Sequence, residues 1–253
     1  SYFTRRYDEV RGKKFSAAKP FIVMGVLGIF LLAQPDLGST VVLFVITFGM
    51  LFIVGANFWQ FILLIGTGIL LFVWLVLSAS YRLKRFTGFL EPFKDPYGTG
   101  FQLTNSLMAF GRGEISGEGL GNSIQKLDYL PEAHTDFIMA IIGEEFGFIG
   151  IFVVVILLGL LIFRAMKIGR ESLMLEQRFR GFFALGISFW IFFQGFVNLG
   201  MALGMLPTKG LTFPLVSYGG SSIIIMSATV GILLRIDHEN RLQRGGQARL
   251  RDD

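Results

Sequence analysis

Long apolar runs dominate this chain and leave it very few architectures. They occupy residues 21–33, 37–56, 58–79, 137–163, 181–206 and about 217–234. A helix that crosses a bilayer needs roughly 20 mostly apolar residues. The first run is short unless it recruits Ala17 and Ala18. A membrane-spanning β-strand is about half that length and alternates apolar with polar residues, and these runs do neither. In hydrocarbon every backbone N–H and C=O must be satisfied within the segment, which an isolated run can do only as a helix. The chain therefore reads as an all-α polytopic membrane protein with six transmembrane helices. Composition agrees, with 53% hydrophobic and 16% charged residues, against about a quarter charged in soluble domains. Cysteine is absent, which excludes disulfides and thiolate metal sites.

An even number of spans puts both termini on one side. That side holds residues 1–19, the turn at Asn57, residues 164–180 and residues 235–253, and carries 16 Lys and Arg residues. The opposite side holds the turn at Pro35, residues 80–135 and the connection around Lys209, and carries 7. Cytoplasmic loops are the basic ones, so both termini are expected in the cytoplasm. The net charge of +5 is then an orientation signal and does not indicate a nucleic-acid partner. The expected division is a basic cytoplasmic segment (1–19), three transmembrane helices (20–79), a large outer loop (80–135) and a transmembrane helix (136–163). A cytoplasmic loop (164–180), two transmembrane helices with an interrupted outer connection (181–234) and a cytoplasmic tail (235–253) follow. The chain opens Ser-Tyr-Phe-Thr-Arg-Arg without an initiator Met, which reads as the middle of a longer protein. Residues 101–110 suit a short amphipathic helix, and a loop as long as 80–135 is more often functional than structureless.

Several polar residues stand where lipid or its surface is expected. Asp136, in Tyr129-Leu-Pro-Glu-Ala-His-Thr-Asp136-Phe, falls at the outer mouth of the fourth run. In a first helical turn, backbone N–H groups favour its charged form. It either caps the helix or does chemistry. Glu144 and Glu145 follow inside the apolar run, where ionisable groups face a protein interior or a wet cavity. They either line such a cavity or pair with a missing helix. Arg82, Lys84 and Arg85 stand just outside the third run, against the charge trend. Two arginines there can clamp a diphosphate bidentately or meet ordinary phospholipid headgroups.

The stretch Leu206-Pro-Thr-Lys-Gly-Leu-Thr-Phe-Pro-Leu-Val-Ser-Tyr-Gly-Gly-Ser-Ser222 breaks the apolar pattern with two prolines, three glycines and several hydroxyls. Irregular backbone at membrane depth is tolerated where it is buried or lines a cavity. Ser217, Gly219 and Gly220 precede a helix start whose free N–H groups suit an anion. Lys209 is the one cation of this connection. A plain re-entrant turn accounts for the same residues. In Gln34-Pro-Asp36-Leu-Gly-Ser-Thr40, Pro35 ends one helix and Asp36 caps the next. Gln194 and Asn198, four apart, suit helix-to-helix bonds. No phosphate-cradling Walker loop occurs, so the chain is not an ATPase of that kind. His134 and His238 fall on opposite sides of the membrane, so no His-based metal centre is expected.

Taken together, residues 129–137, 204–222, 34–40 and 95–102 resemble the SEDS family (shape, elongation, division and sporulation) over essentially the whole chain. Ala133 within Pro131-Glu-Ala-His-Thr-Asp136 is similar to the cell-division branch, since the elongation branch usually has Arg there. The ending Leu234-Arg-Ile-Asp-His is similar to proteobacterial division members. Phe101 stands where Tyr is common, and Ser39 where Thr is common. The resemblance implies the last six of ten helices in the bacterial inner membrane at the division septum, with 80–135 as the large periplasmic loop. Part of the active cavity would come from the four preceding helices.

It further implies a peptidoglycan glycosyltransferase that polymerises lipid II. Its partners would be undecaprenyl-diphosphate-linked glycan, membrane lipid, a class B penicillin-binding transpeptidase and other divisome membrane proteins. The family's proposed catalytic aspartate maps onto Asp136, and polar family positions onto Asp128, Glu132 and Lys209. Substrate-binding candidates are Arg82, Arg85, Asp128, Glu132, His134, Lys209, Ser217, Gly219 and Gly220. No cofactor is firmly implied, although a divalent cation is compatible. A lipid II flippase and a non-catalytic scaffold for the transpeptidase are the alternatives, because interrupted helices and intramembrane acids also suit a transporter.

Overall fold

The computed structural model describes residues 2–12, 18–34, 37–55, 58–78, 88–207 and 210–252. Every regular element among them is helical: α1 (Tyr2–Arg5), α2 (Tyr7–Gly12), α3 (Ala18–Ala33), α4 (Leu37–Val54), α5 (Phe58–Leu77), α6 (Phe101–Gly113), α7 (Ile138–Met174), α8 (Arg178–Ala202) and α9 (Gly220–Asp252). A 3-10 turn covers Pro92–Lys94 and a π-helical turn Gln125–Tyr129. Each of the six apolar runs coincides with a helix. By length and composition α7, α8 and the Gly220–Gly246 part of α9 can cross a membrane, while α3 and α4 are shorter apolar helices. The expected cap at Asp36 lies outside the described residues.

Two charged segments expected as loop and tail are helical instead. Helix α7 continues to Met174, α8 starts at Arg178, and α9 reaches Asp252. The 27 residues of α7 from Phe148 to Met174 correspond to about 40 Å at 1.5 Å per residue, against a hydrocarbon core of about 30 Å. Residues such as Ala, Met, Lys, Arg, Glu and Leu in 164–174 are good helix formers, so the chain has no local reason to stop at the membrane surface. Partners hold these extensions in place. Buried Asn240 donates to Ile168 O (3.2 Å) and Ser172 Oγ (2.8 Å). Ion pairs join Arg180 to Glu239 (2.6 Å), Arg164 to Asp237 (3.6 Å) and Arg244 to Glu171 (3.5 Å).

The chain divides into two compact units, one of residues 1–65, 159–192 and 224–253, the other of residues 66–158 and 193–223. In the first, Val10, Leu51, Val54 and Phe182 form a core, with Phe3, Tyr7 and Phe21 packed against it. It contains an apolar cavity of about 350 Å³ lined by Met50, Phe179, Phe182, Phe183 and Trp190 among others. Among the described residues its lining is apolar but for Thr4 and Thr229.

The second unit is built on α6 and the outer part of α7. Ala109, Leu130, Ala133, Phe137, Ala140, Ile141 and Ala202 form its core. The two helices approach so closely that a Cβ on Gly113 would overlap the Gly143 carbonyl. Four residues beyond Gly143, α7 is broken: Gly147 has φ 64° and ψ −160°, a conformation essentially reserved for glycine. The break frees backbone groups on both sides, and the loop after α6 satisfies them. Glu118 N–H donates to Glu144 O and Gly119 N–H to Glu145 O, both at 2.9 Å. In return, Phe148 N–H donates to Glu114 O (2.9 Å) and Ile149 N–H to Ile115 O (3.2 Å).

The two glutamates ahead of the break bind this same loop. Glu144 is fully buried and accepts from Ser123 Oγ, Ile124 N (3.1 Å), Gln125 N (3.2 Å) and Arg112 Nη1 (3.3 Å). Glu145 accepts from Lys126 Nζ at 2.6 Å. Their partners lie within this chain, Arg112 on α6 and Ser123 and Lys126 in the loop after it, in place of the wet cavity or missing helix expected. A carboxylate at this depth needs donors on every lone pair, and the outer loop folds back to supply them.

Candidate active site

The site begins in the turn that leads into α7. Glu132 adopts φ 56°, so the chain reverses and its carbonyl accepts from three successive N–H groups, those of Thr135 (3.2 Å), Asp136 (3.1 Å) and Phe137 (3.2 Å). Thr135 Oγ1 donates to the Glu132 carboxylate at 2.7 Å. Asp136 therefore sits in a turn ahead of the helix, which starts at Ile138. It is half-buried, and no hydrogen bond holds its carboxylate among the described residues.

Burial outweighs the helix start in the electrostatics of Asp136. Placement in a first helical turn argued for an easily ionised carboxyl. Burial instead pushes its pKa from 3.8 up to about 6, and the nearby Glu132 carboxylate adds to the rise. Desolvation penalises the charged form, and a like charge does the same. Among the described residues no helix N–H donates to the carboxylate to offset either effect. The result is a carboxylate still mostly ionised at neutral pH and markedly more basic than an ordinary aspartate.

Facing this turn is the interrupted connection between α8 and α9. Ser217 Oγ donates to Thr135 O (2.6 Å) and accepts from Phe213 N (2.6 Å), while Tyr218 N–H donates to His134 O (2.8 Å). From α8, Gln194 Nε2 donates to Thr212 O (2.8 Å), and Asn198 Nδ2 donates to Leu211 O and to Asp136 O (2.8 Å). Gly210 stands beside Asp136: a Cβ there would lie 3.3 Å from Oδ2.

These contacts place the expected site residues. Asp136 is at the centre. Glu132 and His134 are exposed, on the same turn. Gly219 supplies the carbonyl that accepts from Ile223 N–H, and Gly220 opens α9 with nothing within 4 Å of a Cβ position. Ser217 was expected at a substrate surface, but it is only 2% exposed and its hydroxyl braces Thr135 and Phe213. Asp128 lies in the π-helical turn; its side chain, like Arg82, Arg85 and Lys209, is outside the described residues. Among the described residues no group of three His, Asp or Glu side chains converges to hold a metal.

Gln194 and Asn198 were read as helix-to-helix bonds, and here they grip loop backbone. Their signal was present, since two amides one turn apart face a connection rich in carbonyls that helix geometry leaves unpaired. Arg112 and Ser123 carry no motif of their own in the sequence. Two acids in an apolar run require donors, and Arg112 and Lys126 pair with Glu144 and Glu145.

Comparison with known proteins gives this geometry a context. The family model described as Cell cycle protein (FtsW, RodA and SpoVE) matches residues 1–242. The chain is 87% identical over its 253 residues to a protein of Haemophilus influenzae named "Probable peptidoglycan glycosyltransferase FtsW". It is 83% identical over the same length to a protein of that name from Pasteurella multocida. It covers 100% of itself and 64% of the length of each relative. Among solved structures, a chain described under "Structural coordination of polymerization and crosslinking by a peptidoglycan synthase complex" matches with TM-score 0.72 and 29% identity. That match covers 90% of this chain and 63% of the other.

Proposed function

This chain belongs to the cell cycle protein family of FtsW, RodA and SpoVE, and from that premise we propose that it carries the catalytic face of a peptidoglycan glycosyltransferase acting on lipid II. The observation that carries the reading is Asp136: a half-buried carboxylate with pKa about 6, without a hydrogen-bond donor among the described residues, set against Gly210 of an irregular connection. A general base works best with a pKa near the operating pH, and burial has moved this one there. The relatives' names and the solved synthase complex support the class of reaction.

The chemistry needed is modest. Asp136 takes the proton from the sugar 4-hydroxyl of the acceptor lipid II as its oxygen attacks the anomeric carbon of the growing strand. The C–O bond to the lipid diphosphate breaks, and the diphosphate leaves with the bonding electron pair. In-line attack on an α-linked diphosphate gives a β-linkage, so the configuration inverts. The remaining demand is to neutralise charge developing on the leaving diphosphate. Arg82, Arg85 and Lys209 are the cations proposed for that part, with the α9 start at Gly219 and Gly220 presenting backbone N–H groups. Asp128, Glu132 and His134 would meet the sugars from the same turn.

In this reading the protein is an inner-membrane enzyme of the division septum with both termini cytoplasmic, paired with a class B penicillin-binding transpeptidase. Its test is Asp136→Asn in the full-length protein reconstituted with that partner and given labelled lipid II. Polymer should vanish while partner binding persists. A variant that keeps normal polymer yield removes the general base. Loss of lipid II transbilayer movement in sealed vesicles, with polymer yield intact, would move the assignment to a flippase.

A further inference from the structure

We propose that Asn198 is a positioning residue that sets the direction of the Asp136 carboxylate by tying its peptide to the facing connection. The inference rests on the reading of Asp136 as general base. Asn198 lies in the last turns of α8 and is 0% exposed. An amide nitrogen carries two hydrogens, and both are used: one goes to Asp136 O at 2.8 Å and the other to Leu211 O. One side chain thus holds the two walls of the site at once. The Asp136 carbonyl carbon is bonded to the same Cα that bears the side chain, so fixing that peptide fixes the Cα–Cβ bond from which the carboxylate rotates and limits the rotamers that reach the site.

The rest of the amide supports this reading. Among the described residues, Asn198 Oδ1 is buried without a hydrogen-bond partner. A buried acceptor left unpaired costs about 1–3 kcal/mol. Packing alone would favour an apolar residue of the same size, so the amide is explained by what its two donors hold. Aspartate could not donate, serine could donate once, and glutamine would have to fit one more methylene. Gln194, one turn earlier on α8, provides the contrast. It bonds Thr212 O at 2.8 Å and Thr212 Oγ1 at 3.3 Å, bracing the connection without touching the Asp136 segment.

The experiment compares Asn198→Leu with Gln194→Leu in the full-length protein with its transpeptidase partner. Leucine fills the Asn198 site but takes the donor from the Asp136 and Leu211 carbonyls, as Gln194→Leu takes it from Thr212 O, so both variants should melt somewhat below wild type while partner binding holds. The kcat for lipid II polymerisation should fall on the order of a hundredfold, the scale on which a misplaced catalytic group costs rate, with KM little changed. Gln194→Leu should stay within about threefold of wild type in kcat, because it leaves the Asp136 peptide tied. A second readout avoids activity: the Asp136 carboxyl titration, isolated by infrared difference against Asp136→Asn. Asn198→Leu should move that titration from its wild-type midpoint, and Gln194→Leu should not. Wild-type kcat together with an unmoved titration in Asn198→Leu overturns the proposal. Should Asn198→Leu fail to fold, Asn198→Ser, which keeps one donor, is judged by the same two readouts. If Asp136→Asn itself polymerises normally, the base reading fails, and the titration alone decides whether Asn198 positions the carboxylate.

Discussion

Replacing Gly147 by alanine tests whether the outer loop is truly threaded into a broken α7. The residue has φ 64° and ψ −160°, a region that costs a non-glycine residue about 1–3 kcal/mol. A Cβ would also lie 2.5 Å from Gly117 N and Ile115 C. Those are backbone atoms of the inserted loop and cannot turn aside. The loop must therefore back out, losing two or more of the four bonds that bridge the break between 114–119 and 144–149, each worth about 1 kcal/mol net. The sum is about 3–5 kcal/mol, and for a chain of this size a drop of on the order of 10 °C in melting temperature. Gly159→Ala is the control. That glycine is helical, with nothing within 4 Å of a Cβ position, and alanine there should be neutral or stabilising by up to about 1 kcal/mol. Thermal unfolding of the purified protein by intrinsic fluorescence gives the comparison, and amide exchange should quicken at 118, 119, 148 and 149 in Gly147→Ala alone. Equal melting of Gly147→Ala and wild type, with unchanged exchange, refutes the threaded loop.

Other perturbations follow from the same contacts. Glu144→Ala leaves Arg112, Ser123 and two backbone N–H groups without their acceptor and should cost about 3–5 kcal/mol in chemical denaturation. Ser217→Ala strands the buried Phe213 N–H and should cost about 1–3 kcal/mol in the same measurement. Asp136→Asn should gain stability while losing activity, because it removes a desolvated charge. At face value the rise to about 6 corresponds to about 3 kcal/mol at pH 7, and about half of that once solvent screening of a partly exposed group is allowed. Here the folded state holds its proton to a higher pH than the unfolded state. Wild-type stability relative to Asp136→Asn should therefore fall as pH rises from about 4 to 6 and level off above, which melting curves across that range will show.

Much of this architecture was legible in the sequence because its causes are local. An apolar run of twenty residues has one solution in lipid, and each run became a helix. The interrupted connection and the turn at residues 129–137 announced themselves through proline, glycine and misplaced charge. What was not legible depends on partners distant in sequence. Gly147, within Glu-Glu-Phe-Gly-Phe, reads as a tolerated helix glycine until the loop at 114–119 is seen in the break. Glu144 and Glu145 declared a need for donors but could not name Ser123, Arg112 and Lys126. The helices ran on through charged segments because opposite charges on other helices met them. Asp136 showed the same limit in its ionisation. Position in the chain suggested a stabilised anion, whereas burial and the neighbouring Glu132 made it a stronger base. The basic residues Arg82, Arg85 and Lys209, read from their chemistry as diphosphate ligands, lie outside the described residues.

The most direct test of Asp136 as general base is the pH dependence of single-turnover lipid II polymerisation by the full-length protein with its transpeptidase. The account predicts a rate that is level above pH 7 and falls about tenfold per pH unit below an inflection near 6, the value to which burial raises this carboxyl. Asp136→Asn should give no polymer at any pH. A wild-type rate that passes through pH 6 without inflection, or an Asp136→Asn enzyme that polymerises with the wild-type profile, would contradict it.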